Sequence, residues 1–325
     1  MKAIVRDDYG SASVLKFEDI DRPAPEDDEV LVRVRASSLN RGDRYAMQGT
    51  PWIMRLILGL SRPKKRGMGQ DFAGDIVEVG KAVTDVRPGQ AVYGEVDFGD
   101  TWAEYACIPA ALVAPKPKSL SYAQAAAVPV AGLTALQGLR THAKVTKGQR
   151  VLINGATGAV GTFAVQIAKA LGAADVVGVC SERHIDLVHS LGADHVIPYE
   201  SEDFLACGRT FDVFFDVVGN RSLRRCCKLL HPSGVYVSVG APEGGRVLGP
   251  ARRLFGIRFL AMFVKPKIAS YTAKANRDDL VLLTELIESG SITPAIDHEF
   301  PLAQTADAMR HLITAHPASK LVLTI

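Results

Sequence analysis

Residues 151–161 read VLINGATGAVG, and this stretch constrains the fold more than any other. An apolar run enters a glycine-rich turn and leaves it as a helix over 158–171. On that helix Val160, Phe163, Ala164, Ile167 and Leu171 share one stripe. The same alternation continues downstream, with strands expected at 151–154, 176–180, 196–199, 211–218 and 235–239 and helices between them. Strand and helix patterns in strict succession require βαβ units and a mostly parallel sheet with helices on both faces.

The chain around this core reads differently. In EVLVRVRASSL, Val30, Val32, Val34 and Ala36 fall on one face, and Leu31, Arg33, Arg35 and Ser37 on the other. Alternation with period two predicts a strand with one wet side. GDIVEVG, GQAVYGEV and TWAEYACIPA are further short runs bounded by turn residues, and together they predict a sandwich or partly open barrel. The texture changes near residue 120, where SYAQAAAVPVAGLTALQGL reads as helix, N-capped by Ser121 and interrupted near Pro129 and Gly132. Beyond residue 265 the βα rhythm stops. One helix is expected to end at Gly290, a second lies in LAQTADAMRHLITA, and SKLVLTI closes as a strand. This tail is assigned to the N-terminal domain. The expected class is α/β: a doubly wound parallel sheet over 123–265, inserted in a mainly β domain made of 1–122 and 266–325.

The length of 325 residues suits two domains, and a 47% hydrophobic content supplies their cores. The net charge is only +3, and no face-sized run of Lys and Arg stands out, so no nucleic-acid partner is expected. No apolar run is long enough for an integral membrane segment, and the N-terminus MKAIVRDDYG lacks the apolar core of a signal peptide. The five cysteines are odd in number and show no C-x-x-C spacing. The expectation is a reduced, cytoplasmic protein without a disulfide framework or thiolate metal site.

The turn departs from the dinucleotide fingerprint G-x-G-x-x-G, because Ala156 stands at the first glycine position and Gly155 precedes it. Its setting between strand and helix is nonetheless the one the mechanism needs. Gly158 lets backbone approach a pyrophosphate, Gly161 permits close packing, and the helix N-terminus faces the phosphates. Gly155 is expected to take the unusual φ that Ala156 cannot. About 20 residues further on, NAD enzymes carry an acid for the ribose 2′-hydroxyl. Here that position is Cys180, followed by Ser181, Glu182 and Arg183. A hydroxyl and a guanidinium suit a 2′-phosphate, which favours NADP(H), with Glu182 as the counter-signal.

The stretches LNRGDRYAMQG, GMGQDFAGDIVEVG, VAGLTALQGL, VLINGATGAVGTFAVQIAKALGA and FDVFFDVVGN occur in an order that resembles the zinc-independent quinone oxidoreductase branch of the medium-chain dehydrogenase/reductase superfamily. The resemblance spans the whole chain. It implies a GroES-like catalytic domain, a Rossmann domain, an active site in the cleft between them, and a homodimer. Motif matching puts Asn40 and Gln70 where zinc-dependent relatives carry Cys and His ligands. Residues 93–106 hold none of the cysteines of their structural zinc lobe. No metal is therefore expected. By the same resemblance, Asn40, Tyr45 and Thr134 are the candidate catalytic residues, and Asp43 is structural, bonding nearby backbone. Asn154, Ala156, Gly158, Ala159 and Val160 form the phosphate turn. Ser181, Arg183 and Tyr199 recognise the 2′-phosphate end. Val218 and Gly219 pass under the ribose, and Val239, at the end of the next strand, completes the cofactor set.

The implied activity is NADPH-dependent reduction of a small quinone or α,β-unsaturated carbonyl by hydride transfer. The alternatives are an enoyl-thioester reductase and a non-catalytic NADPH-binding sensor or scaffold. Within 51–67, Trp52, Ile53, Leu56, Ile57 and Leu60 recur at near-helical spacing and are read first as an apolar lid, then as a satellite core helix, and last as a membrane-surface helix. Lys320 is read first as capping a strand and second as reaching the cleft; His231 is expected to occupy a turn, and Cys226 and Cys227 to pack.

Overall fold

A computed structural model describes residues 1–97, 99–239, 264–315 and 317–325, in two compact units. The first comprises Met1–Val130, Ala275–Glu288 and Pro294–Ile325, and the second Ala131–Lys274 and Ser289–Thr293. The second unit thus begins at residue 131 and closes at 274, later at both ends than the expected 123 and 265. A short strand, Lys267–Ser270, is the reason at the far end, because it pairs in parallel with Leu230–Ser238 and belongs to the nucleotide-type sheet. The peptide 289–293 also groups with this unit, where Gln166 brackets Thr293 through both its amide atoms.

Among the described residues of the second unit, six parallel strands lie in the spatial order His195–Pro198, Asp175–Cys180, Arg150–Asn154, Phe211–Asp216, Leu230–Ser238, Lys267–Ser270. Numbered along the chain this is 3-2-1-4-5-6, the order of dinucleotide-binding sheets, with its switch point between Arg150–Asn154 and Phe211–Asp216. Val151, Leu152 and Ile153 are wholly buried, as a strand covered on both faces must be. The helix Ala159–Ala170 packs Phe163, Ala164 and Ile167 into the core. Cys226 and Cys227 are packing residues in the cluster around Phe214 and Tyr236.

In the first unit a seven-stranded, mainly antiparallel sheet is centred on Glu29–Leu39, which pairs with Asp71–Val79, Tyr105–Pro109 and Lys320–Thr324. The expected wet side of this strand is confined to Arg33 and Arg35, since Leu31 and Ser37 are fully buried. Helix Tyr122–Ala126 packs against this strand and against Asp71–Val79, as edge partners alone would not bury a face. Helix Tyr122–Ala126 begins at Ser121, whose Oγ accepts the Gln124 N–H while the Gln124 side chain accepts the Ser121 N–H, a closed capping box. The chain resumes as helix at Pro129. Among the described residues no helix is long and apolar enough to cross a membrane.

Candidate functional site

The functional residues form two groups, one in each unit. In the second unit the chain leaves Arg150–Asn154 through Gly155, whose φ is +87°, a conformation favoured by glycine. Ala156 follows with negative φ and is fully buried, so the shifted glycine does what the fingerprint's first glycine does. The N–H groups of Gly155 and Ala156 both donate to the Val179 carbonyl, at 3.1 and 3.0 Å, and tie the turn to the neighbouring strand.

The next two glycines differ in kind. A Cβ on Gly161 would lie 2.0 Å from the Gly155 carbonyl oxygen, so that glycine is a packing requirement of the turn itself. Gly158 caps the helix with φ −67° and ψ 163°, which any residue adopts. A Cβ there would meet only the Gly155 oxygen, at 3.5 Å, an ordinary contact. Neither backbone nor packing demands glycine at 158. What it keeps clear is the space over the helix start, where Ala159, Val160 and Gly161 present first-turn amides that an α-helix leaves unpaired internally.

Asn154 and Asp216 face each other across the switch point, in register on adjacent strands, and the Asn154 Nδ2 donates to Asp216 at 2.9 Å. Asp216 is fully buried and also accepts the Tyr236 hydroxyl and the N–H groups of Val218 and Gly219, at 3.2 and 2.7 Å. It thereby fixes the loop that carries both expected ribose residues, a role no sequence motif announced. Val239, half-buried, donates its N–H to the Asp216 carbonyl. Thr134 lies in the helix Pro129–Leu136, and its carbonyl accepts the Tyr271 hydroxyl.

At the end of the second strand Cys180 is buried, and burial together with Glu200 raises its thiol to about 11, leaving it neutral. Ser181 is also buried, its hydroxyl bonded to His184 Nδ1 at 2.9 Å. Arg183 is exposed, and among the described residues its guanidinium has no partner. Tyr199 is 53% exposed. A free guanidinium and an exposed phenol beside a neutral thiol fit a phosphate better than a diol.

The second group is a polar row crossing four adjacent strands of the first unit. Strand register creates it. Leu321 pairs with Leu39, which sets Lys320 beside Asn40; Ser37 pairs with Phe72, which sets Ser38 beside Asp71; and Asp71 pairs with Glu95. Lys320 is not the strand cap expected from its sequence position. Its ammonium is completely buried, 2.9 Å from Asp71 Oδ2, and donates to Asn40 Oδ1 at 2.7 Å and the Leu39 carbonyl at 3.3 Å. The other oxygen of Asp71 accepts the Val130 N–H at 2.8 Å, while Oδ2 also accepts Ser38 Oγ and, at 2.8 Å, Asn40 Nδ2.

Asn40 is the residue before the helix Arg41–Gln48, and its N–H donates to Asp43 Oδ2 at 2.8 Å. Asp43 thus bonds backbone, as expected. Tyr45 lies on the same helix, half-buried. Burial, reinforced by the charge of Asp71, raises Asp43 to about 7 and Glu95 to about 8. The row therefore holds one firm ion pair and two carboxyls that resist ionisation. As a donor set it suits no Zn²⁺, since an amide oxygen is already bound to an ammonium group that would repel the metal.

A cavity of about 220 Å³ opens beside Asp43, with Arg6, Ile57, Leu58, Lys65 and Met68 in its wall. The 51–67 segment forms a 3₁₀ turn at Trp52–Met54 and one helical turn at Arg55–Leu58. Leu58 is buried, whereas Trp52, Ile53, Leu56, Ile57 and Leu60 are all exposed, which removes the satellite-core reading. His231 is exposed and lies within the strand Leu230–Ser238, not in a turn before it, at an irregular stretch of that strand's pairing, where its ring bonds Ser233.

Residues 26–118 match the alcohol dehydrogenase GroES-like domain and residues 191–323 the zinc-binding dehydrogenase domain. The chain is 34% identical to an NADPH-dependent alkenal/one oxidoreductase of Arabidopsis thaliana, over 99% of this chain and 79% of that protein. Among solved structures it is similar to the quinone oxidoreductase of Coxiella burnetii, at 32% identity and TM-score 0.85 over 100% of this chain and 99% of the other. It is also similar to the Escherichia coli quinone oxidoreductase complexed with NADPH, at 25% identity and TM-score 0.84, each chain covered in full. The chain belongs to the zinc-independent quinone oxidoreductase branch of the medium-chain dehydrogenase/reductase superfamily.

Two predictions follow from this geometry. Gly158→Ala leaves the melting temperature within about 2 °C of wild type but weakens NADPH at least tenfold in a fluorescence titration, whereas Gly161→Ala lowers stability by about 1–3 kcal/mol because backbone must move. Folding raises the Glu95 pKa from 4.5 to about 8. The native state then holds a proton that the unfolded state releases, so stability falls as pH rises between those values. Glu95→Gln removes this loss, and its melting temperature relative to wild type rises from pH 5.5 to pH 8.5.

Proposed function

We propose that this chain is a zinc-free, NADPH-dependent oxidoreductase that reduces α,β-unsaturated carbonyls and quinones. The observation that carries the reading is Gly158, a glycine whose only evident use is to keep ligand space open at the helix start of a 3-2-1-4-5-6 sheet. The named activities of the similar proteins support the same chemistry. NADPH, when bound, supplies a hydride to the electron-poor carbon of the acceptor. The chain's part is to hold and orient the reactants. The amides of Ala159, Val160 and Gly161 meet the pyrophosphate, Arg183 and Tyr199 the 2′-phosphate, and Val218 and Gly219 the ribose.

Asn40 presents an amide to the acceptor end, on a support that contains no metal ligand set. A quinone or conjugated carbonyl is electron-poor before it binds, so its reduction does not require the Lewis acid that alcohol oxidation uses. The five free cysteines support a reducing, cytoplasmic setting, and the family resemblance supports a homodimer.

Purified protein is expected to oxidise NADPH with 2-alkenals, enones and quinones. Turnover confined to enoyl thioesters would instead make it an enoyl-thioester reductase, and tight NADPH binding with no turnover of any acceptor would make it a binding protein. Arg183→Ala should raise the NADPH Kd by about ten- to a hundredfold, the loss of a charge-assisted bond of ~1.5–3 kcal/mol, and leave NADH nearly unchanged. Equal effects on both cofactors would remove Arg183 from the 2′-phosphate site.

A further inference from the structure

Asn40 is held by two neighbours of opposite polarity. A lysine ammonium has three donors and no acceptor, and an ionised carboxylate has acceptors only. Lys320 Nζ therefore must face the amide oxygen of Asn40, and Asp71 must face its NH₂, as the distances of 2.7 and 2.8 Å record. Turning the amide over would set NH₂ against an ammonium and oxygen against a carboxylate. The orientation of this side chain is thus fixed by the matching of donors to acceptors and not by shape. Asp71 engages one of the two Nδ2 hydrogens, leaving the other as a donor of defined direction.

We propose that Lys320 is a positioning residue for the reduction: with Asp71 it locks the Asn40 amide in a single orientation, so that its remaining N–H is presented to an oxygen of the bound reactants. The inference rests on the functional reading that puts Asn40 at the reacting centre. It goes further in giving the C-terminal strand a share in the chemistry. Lys320 stands 280 residues from Asn40 in the chain and is brought to it by strand pairing. The rest of the row serves the same lock. Ser38 and the Val130 N–H occupy the other acceptor positions of Asp71, so the carboxylate cannot swing away from Asn40.

The test uses the full chain with Lys320→Met/Asp71→Asn, which removes both charges together, and Lys320→Gln, which keeps donors without charge. The first readout is independent of activity: hydrogen exchange of the Asn40 side-chain amide by NMR, its signal assigned by its loss in Asn40→Ala. Protection is expected to fall at least tenfold in Lys320→Met/Asp71→Asn and to be largely retained in Lys320→Gln.

The second readout is kinetic. Lys320→Met/Asp71→Asn should lower kcat for an alkenal at least tenfold with the NADPH Kd unchanged. The same pair of substitutions should cost less than threefold when added to Asn40→Ala, because its effect runs through Asn40. Unchanged protection of the Asn40 amide in a folded variant would overturn the proposal, as would an equal kinetic loss in both backgrounds. If Lys320→Met/Asp71→Asn does not fold, Lys320→Met alone decides by the same measurements: protection and kcat that both fall at least tenfold support the lock, and unchanged protection in the folded variant overturns it. Wild type that reduces no acceptor would sink the functional reading, while the exchange result would still report whether Lys320 holds Asn40.

Discussion

The contact on which the first unit turns is the ion pair between Lys320 and Asp71, two charges with no exposure to water, 2.9 Å apart. Burying such a pair is costly, and replacing it with apolar residues of similar volume is often neutral or stabilising. Its retention therefore calls for a reason beyond stability. The pair stands beside Asn40, the position at which zinc-dependent members of the superfamily place a cysteine ligand. There the metal itself would organise the surrounding side chains. Here a lysine cation, satisfied by two side-chain oxygens and a carbonyl, does the organising. Burial raises Glu95 and Asp43 well above the usual carboxylate range, so both resist adding negative charge beside the pair.

The second unit solves a different problem with backbone. Three glycines within seven residues have three separate causes: a left-handed φ at 155, clear space at 158 and close packing at 161. Only the middle one has neither a backbone nor a packing cause. Asp216 completes the arrangement by clamping the loop at 218–219 to the switch point, so the expected ribose contacts sit on a buried carboxylate and not on a free loop.

Much of this was legible in the sequence, and the reasons differ by feature. Parallel strands buried on both faces are near-continuous apolar runs, so five of the six described strands of the second unit stood out. The sixth, Lys267–Ser270, is too short and polar to announce itself, and with it the domain boundary moved. The polar row was invisible for a deeper reason. Ser38, Asp71, Glu95 and Lys320 each look like ordinary polar strand residues, and only the register of four strands brings them together. The same blindness produced the supposed wet face of Glu29–Leu39, where Leu31 and Ser37 are buried, an outcome of packing that sequence alternation cannot foresee.

Hydride transfer from NADPH to an electron-poor acceptor, on a centre that we propose Lys320 and Asp71 order in place of a metal, is open to direct test. A direct measurement supplies chelator-treated protein with an alkenal and NADPH in which both hydrogens at nicotinamide C4 are deuterium, and locates the label in the product by mass spectrometry. One deuterium on the β-carbon, formed at the rate of untreated protein, is the result this account predicts. Loss of turnover on chelation, restored by added Zn²⁺, or a reduced product without label, would contradict it.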